Sequence, residues 1–223
     1  MIDKEVLLDL ERLSRLGMVE AIWGENKSCE QIAGILRRLE AVSQFALVTR
    51  LSQEKAEKLL RTFQKAEYHS EASCLTLGPS IVIDESLGEV LVVTAGTSDL
   101  NVAAEALVSL RCHGVKADIV MDIGVAGLHR LLKKLDRLRA AKTLIVCAGM
   151  EGALPTIIAG LVPQPVIGLP VSVGYGVSRG GQAALQGMLA SCAPGLLVVN
   201  IDNGYGAAMA ALRIVKSSLK IHS

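Results

Sequence analysis

The stretch Val146-Cys147-Ala148-Gly149-Met150-Glu151-Gly152-Ala153-Leu154-Pro155 decides how the chain is read. The apolar run over 143–148 that leads into it predicts a buried strand. The run breaks at Gly149, carries one acid at Glu151 and turns apolar again near Leu154. In an open α/β sheet, the ligand crevice lies at strand ends of this kind. Glu151 then has two readings. It is a carboxylate placed for chemistry in a cleft, or an acid favoured by the dipole at the start of the next helix.

Working outward, four more strands are predicted over 90–93, 117–122, 166–169 and 196–201. Helical patterns over 102–110, 128–138, 154–161, 183–189 and 207–215 alternate with them. Strands alternating with helices predict an α/β fold, a doubly wound parallel sheet whose strand ends share one edge. Residues 88–223 form this domain, and residues 78–87, with Pro79, a linker; 81–83 reads as a short strand. Residues 1–77 are expected to be a helical N-terminal region. Val6, Leu7, Leu10, Leu13 and Leu16 recur at helical spacing, with Gly17 as a stop. Ser28 and Gln31 form a capping box before a second helix, and Ser52 caps a third. Between the first two helices, Trp23-Gly24-Glu25-Asn26-Lys27 is either a plain turn or places Lys27 against an anionic ligand.

Composition narrows the function. A net charge of +1 gives no reason to expect nucleic acid or an anionic membrane surface as partner. Aromatic residues make up 3%, which disfavours stacking on single strands. Hydrophobic residues reach 51%, yet charges interrupt every run before it could span a bilayer. The excess fits a sheet buried on both faces and a homo-oligomer with a buried interface. The five cysteines form no CxxC pair, so no structural zinc site is expected. The first residues lack a signal-peptide layout, and a cytoplasmic protein with reduced thiols is expected.

Five further loops carry polar residues. In Gly96-Thr97-Ser98-Asp99, a glycine and hydroxyl turn opens a helix and offers backbone N–H groups to an anion. Ser98 or Asp99 serves there as a cap, as a ligand to ribose hydroxyls, or as both. Asp122-Ile123-Gly124-Val125-Ala126-Gly127-Leu128-His129-Arg130 brings a phosphate-suited arginine beside a histidine. Gly174-Tyr175-Gly176-Val177-Ser178-Arg179-Gly180-Gly181 is a mobile flap or a tight turn. Ser191-Cys192-Ala193-Pro194-Gly195 presents a cysteine after a helix, and Asn200-Ile201-Asp202-Asn203-Gly204 closes the sheet.

Taken in order, these loops resemble those of the PurE family, the carboxylate-shifting enzymes of purine synthesis. The parallels are Gly96-Thr97-Ser98-Asp99, His129-Arg130, the 149–155 loop and Pro194-Gly195. That resemblance implies a flavodoxin-like three-layer αβα core, a closed assembly of up to eight copies, and no tightly bound cofactor. PurE enzymes carry a catalytic histidine just before the Leu-Pro of the third loop. Here that position is Ala153, which cannot shuttle a proton. Over nearly the full chain, the motifs are more similar to the LarB family, the PurE-like carboxylase/hydrolase of nickel-pincer cofactor synthesis. Gly24-Glu25-Asn26-Lys27 resembles that family's own Gly-Glu-Gly-Lys turn, with Asn26 in place of a glycine.

The LarB resemblance implies a reaction. Nicotinic acid adenine dinucleotide and CO2 or bicarbonate are the expected partners. The pyridinium ring is carboxylated at C5 and the phosphoanhydride hydrolysed, giving pyridinium-3,5-dicarboxylate mononucleotide and AMP. An electron-poor pyridinium does not attack CO2 unaided; a thiolate added at C4 makes an enamine whose C5 does. By resemblance the nucleophile is Cys192, and Glu151 is the base that takes the C5 proton. An apolar pocket around Glu151, raising its pKa, is expected. The residues implied for substrate binding are Gly96, Thr97, Ser98, Asp99, Gly127, His129, Arg130, Gly149, Met150, Gly152, Asp202, Asn203 and Lys27. No protein-held metal is expected; Mg2+ or another divalent cation on the pyrophosphate would neutralise the leaving AMP. Two other readings stay open: a PurE-type carboxylase or mutase acting on aminoimidazole ribonucleotide, and a non-catalytic nucleotide-binding protein.

Overall fold

The computed structural model describes residues 8–219. It divides into two compact units between Val82 and Ile83, inside the segment read as a linker. Val6 and Leu7 of the first predicted helix lie outside the described residues.

The N-terminal unit contains the three predicted helices and a sheet besides. Helix α1 (Arg12–Leu16) stops at Gly17, whose φ of 66° suits the left-handed cap. Strand β1 (Ala21–Trp23) leads into α2 (Cys29–Ala41). There Gln31 N–H donates to the Ser28 hydroxyl and Ser28 N–H to the Gln31 side chain, which completes the capping box. Strand β2 (Ala46–Thr49), helix α3 (Gln53–Thr62), β3 (Glu67–His69) and β4 (Cys74–Leu77) follow. The sheet order is β1-β2-β4-β3, parallel between β1 and β2 and antiparallel elsewhere. Ile22, Val48 and Leu75 from the strands share a core with Ile32, Leu36 and Leu59 from the helices. A purely helical description is therefore incomplete: this unit is a four-stranded mixed sheet with helices. Its strands are three or four residues long, too short to show the alternation by which a strand is read.

The C-terminal unit alternates strand and helix: β5 (Glu89–Thr94), α4 (Leu100–Arg111), β6 (Lys116–Val120), α5 (Leu128–Lys133), α6 (Leu135–Arg139), β7 (Thr143–Ala148), α7 (Ala153–Ala159), β8 (Val166–Pro170), α8 (Gln182–Leu189), β9 (Leu197–Val198) and α9 (Gly204–Leu219). All five strands are parallel, in the order β6-β5-β7-β8-β9. Helices α4 and α9 cover one face, and α7 and α8 the other. Every residue of β7 is buried, as a strand covered on both faces must be. This is the flavodoxin-like three-layer order.

Three local expectations are corrected. Residues 81–83 form no strand, and Val82 is exposed with no neighbour to pair with. The helix predicted over 128–138 breaks at Lys134, whose φ of −102° and ψ of 1° leave the helical region. The strand predicted over 196–201 pairs only at Leu197 and Val198, against Ile167 and Gly168 of β8. No helix among the described residues is long and apolar enough to cross a membrane.

The strand order fixes where a ligand goes. From β5 the chain passes to β6 on one side, then returns to β7 on the other. At this reversal the loops after β5 and β7 diverge and leave a crevice beyond the strand ends. Leu144, fully buried at the centre of the sheet, supports both strands from below. Leu144→Ala is expected to destabilise this unit by about 2–5 kcal/mol; chemical denaturation followed by circular dichroism measures it.

Candidate active site

A cleft of about 280 Å³ opens at this reversal. Gly96, Ser98 and Asp99 line it from the loop after β5, and Gly149, Met150 and Glu151 from the loop after β7. Arg130 enters from α5, and Val173 from the loop after β8.

Asp99 is the buried acid of the site, 3% exposed. Its Oδ2 accepts the Gly96 N–H at 2.8 Å. Burial pushes its carboxyl above the ordinary range, while amides of Gly96, Gly149 and Ala95 pull it back toward the charged form. Gly96 and Gly149 belong to different strand ends, so this one side chain joins the two walls of the cleft. The capping role read for Asp99 is therefore present, and its side chain also lines the cleft.

Close backbone contacts set the rest of the geometry. A Cβ on Gly149 would lie 2.2 Å from the Val173 carbonyl oxygen, and one on Gly124 2.7 Å from that of Ala95. Met150 N–H donates to the same Val173 carbonyl at 3.1 Å. Three residues that follow strand ends on this edge, Asp122, Met150 and Asp202, have φ of 56°, 51° and 54°. Aspartate tolerates that region; for methionine it costs of order 1–3 kcal/mol, and such outliers concentrate at functional sites.

Arg130 is positioned from two directions. Its guanidinium pairs with Asp122, whose N–H donates to the Thr94 hydroxyl at 3.2 Å. It also lies over Gly127, where a Cβ would come within 2.6 Å of its Nε. The missing side chain at Gly127 thus makes room for the Arg130 guanidinium. Among the described residues lining the cleft, Arg130 is the one cation, and it suits a phosphate.

Glu151 sits at the mouth of the cleft and is exposed. The apolar enclosure expected around it is absent from the single chain, where Glu151 is exposed. Its carbonyl oxygen packs on α8, 2.5 Å from where a Gly187 Cβ would stand.

The other expected site residues lie elsewhere. Thr97 and His129 are exposed and do not line the cleft. Gly152, with φ 67°, turns the chain into α7 against Ala184. Asp202 Oδ1 accepts the Ser172 N–H at 2.8 Å, and Asn203 Oδ1 the Gly206 N–H at 2.8 Å; both side chains serve the backbone. Lys27 belongs to the N-terminal unit and lines a cavity there.

Cys192 is exposed and does not line the cleft of its own chain. It follows α8 and precedes β9, and β9 enters beside the start of β8, with Leu197 opposite Ile167. Its segment therefore lies toward the N-terminal edge of the sheet, away from the strand ends that form the cleft. Ser191, next to it, accepts from Thr156 on α7 at 2.8 Å, which holds the segment to that helix. Cys147 is nearer the cleft but fully buried, and burial pushes its thiol well above the ordinary range, with the Asp99 carboxylate adding to the effect. A thiol held protonated in this way is a poor nucleophile. Sequence reasoning missed Ala95, Gly124, Val125, Ala126 and Val173 as cleft residues. Only the glycine spacing of these loops pointed to them.

Residues 4–79 match the family described as the LarB/PurE-like N-terminal domain, and residues 89–221 match AIR carboxylase. The chain belongs to the LarB/PurE-like family. This is a family of carboxylase/mutase-type enzymes. An uncharacterized protein of Methanocaldococcus jannaschii is 38% identical over 222 residues, 96% of this chain and 86% of that protein. The N5-carboxyaminoimidazole ribonucleotide mutase of the same organism is 31% identical over 133 residues, 56% of this chain and 78% of the mutase. A crystal structure of Treponema denticola PurE is similar at a TM-score of 0.46 and 18% identity, over 60% of this chain and 90% of that one. Among the described residues, no three His, Cys, Asp or Glu side chains are grouped to hold a metal ion.

Asp99 gives this LarB/PurE-like site a measurable signature. Its folded-state pKa is raised above 3.8, so between 3.8 and the raised value the folded chain holds a proton that the unfolded chain has lost. Its contribution to stability is therefore full below that window and is lost as pH rises through it. Asp99→Asn is expected to remove this fall, and unfolding curves of both proteins across the window measure the difference. Gly149→Ala, which forces a carbon onto the Val173 carbonyl, is expected to destabilise the C-terminal unit by about 1–3 kcal/mol; chemical denaturation followed by circular dichroism reads it.

Proposed function

We propose that this chain carboxylates C5 of the pyridinium ring of nicotinic acid adenine dinucleotide with CO2 and hydrolyses the phosphoanhydride. The products are pyridinium-3,5-dicarboxylate mononucleotide and AMP, intermediates and by-product of nickel-pincer cofactor synthesis. The observation that carries this reading is Ala153, standing where PurE chemistry needs a histidine, in a chain that also matches the LarB-type N-terminal domain. A cleft with one phosphate-suited cation, Arg130, and a carboxylate at its mouth, Glu151, supports it.

The steps balance without an oxidant or reductant. The Cys192 thiolate adds to C4 and the ring loses its positive charge. The enamine so formed attacks CO2 through C5, making the new C–C bond. Glu151 removes the C5 proton, the C4–S bond breaks, and aromaticity returns as thiolate leaves. Water separately cleaves the phosphoanhydride, releasing AMP. A divalent cation such as Mg2+ carried by the pyrophosphate would ease that departure by neutralising charge. Cys192 is the most exposed of the five cysteines; Cys29, in the N-terminal unit, is half-buried, and Cys74, Cys112 and Cys147 are buried.

Because Cys192 and the cleft occupy different edges of one chain, we place the sulfur in the cleft of a neighbouring copy, in a homo-oligomer of up to eight chains. Incubation with the dinucleotide and bicarbonate is expected to give AMP and the dicarboxylate mononucleotide by mass spectrometry. Cys192→Ala is expected to lower carboxylation by on the order of a thousandfold, the scale of losing a nucleophile. Retained carboxylation in that variant rules out the covalent route. Turnover of aminoimidazole ribonucleotide instead would identify a PurE-type carboxylase or mutase, and dinucleotide binding without product a nucleotide-binding protein.

The shared site makes a separate claim. Cys192→Ala and Glu151→Gln, each inactive alone, are expected to recover activity when co-expressed, since mixed assemblies contain sites with both native residues. Absence of recovery places both residues in one chain's site.

A further inference from the structure

The turn Gly24-Glu25-Asn26-Lys27 belongs to the N-terminal unit and is firmly anchored there. Lys55 Nζ donates to the carbonyls of Gly24 at 2.9 Å, Glu25 at 2.8 Å and Lys27 at 2.8 Å. Gly24 is packed so closely that a Cβ there would lie 3.0 Å from Val48 Cγ1 and 3.1 Å from the Thr49 carbonyl. Backbone is thus fixed on both sides of Asn26, and Lys27 is set at the end of the turn beside a cavity of about 290 Å³.

The cavity lies wholly within the N-terminal unit. Leu13, Val19, Ile22, Ile35, Leu39 and Phe45 give it apolar walls. Its charges are Arg12, Lys27, Asp9 and Glu20. Asp9 is already paired with Arg15, and Glu20 is exposed to solvent, which screens it. Arg12 has its Nε enclosed with no hydrogen-bond partner among the described residues. Helix α1, which carries Arg12 and Leu13, has no buried residue, so this wall of the cavity is only lightly packed. The size is close to the lower end for ligand pockets, about 300 Å³.

We propose that this cavity binds a small organic anion with an apolar body and one carboxylate, the head meeting Arg12 and Lys27 and the body the aliphatic walls. Neither the carboxylation nor the C-terminal cleft is needed for this binding. A phosphate group alone would lack the apolar contacts. Each buried methylene is worth roughly fourfold in affinity.

Calorimetric titration of the intact chain with octanoate, butyrate and inorganic phosphate tests the assignment. One octanoate per chain is expected to bind, roughly two hundredfold more tightly than butyrate if four extra methylenes are buried, and phosphate not to compete. Arg12→Gln is expected to weaken octanoate by about tenfold. Ala21→Phe, which fills the cavity from β1, is expected to abolish binding. Glu151→Gln, in the other unit, leaves octanoate binding unchanged, so failure here and failure of the carboxylation are told apart. The wild-type titration decides even if a variant does not fold. No saturable octanoate binding, equal affinity for butyrate, competition by phosphate, or full binding by folded Ala21→Phe overturns the proposal.

Discussion

A single carboxylate holds the crevice of the C-terminal unit in shape. Asp99 is almost fully enclosed, and its charge is opposed by burial. What offsets that cost is a set of backbone amides from the loops after β5 and β7. Hydrogen bonding to a charged acceptor is stronger than a neutral contact and restricts the donors that make it. The two strand ends therefore cannot drift apart without leaving a carboxylate buried and poorly matched, which is more costly than leaving it in water. The width of the cleft follows from this constraint, and Gly96, Ser98, Gly149 and Glu151 take their positions from it.

Absence of side chains supports the same arrangement. Gly149 lies against Val173, Gly124 against Ala95, and Gly187 against Glu151, in each case a carbonyl oxygen closer than any Cβ permits. These contacts stack loop on loop at the strand ends and leave the polar side chains that remain facing the crevice. Met150 accepts a left-handed backbone in the middle of this stack. A methionine at such an angle would relax if its neighbours allowed it. The Val173 carbonyl, which accepts the Met150 amide, is what prevents that.

Much of this was legible in the chain. The run into Gly149 located β7 to the residue, and the alternation of strand and helix gave the three layers. Ser28 with Gln31, and Ser52, named two helix starts correctly because a cap is a local chemical event. The N-terminal strands were missed because each is three or four residues long and is made a strand by its partners, not by its own pattern. Asp99, Asp202 and Asn203 were read as facing a ligand; that each accepts a backbone N–H is a choice of partner that sequence does not carry. The place of Cys192 is different. A segment between a helix and the following strand returns to the strand starts in any parallel sheet, so its separation from the crevice was available from topology before any coordinates.

That separation bears on the proposed chemistry. An enamine that must capture CO2 is also open to protonation at the same carbon, and bulk water in the crevice favours the wrong partner. Excluding water is therefore a requirement of the reaction. In one chain the crevice mouth is open: Glu151 is exposed, and beyond it Tyr175 and Val177 stand 77% and 95% exposed on the glycine-rich loop after β8. Side chains so bare are ones that a second copy docking there would cover. On the proposed reading, a single event, the docking of a second copy, would bring a thiol to the ring, cover these side chains and remove water from the carbon that reacts. The glycines at 174, 176, 180 and 181 then have a common purpose, since a backbone able to adopt φ of 57° to 78° at three of these positions can shape itself to the incoming surface.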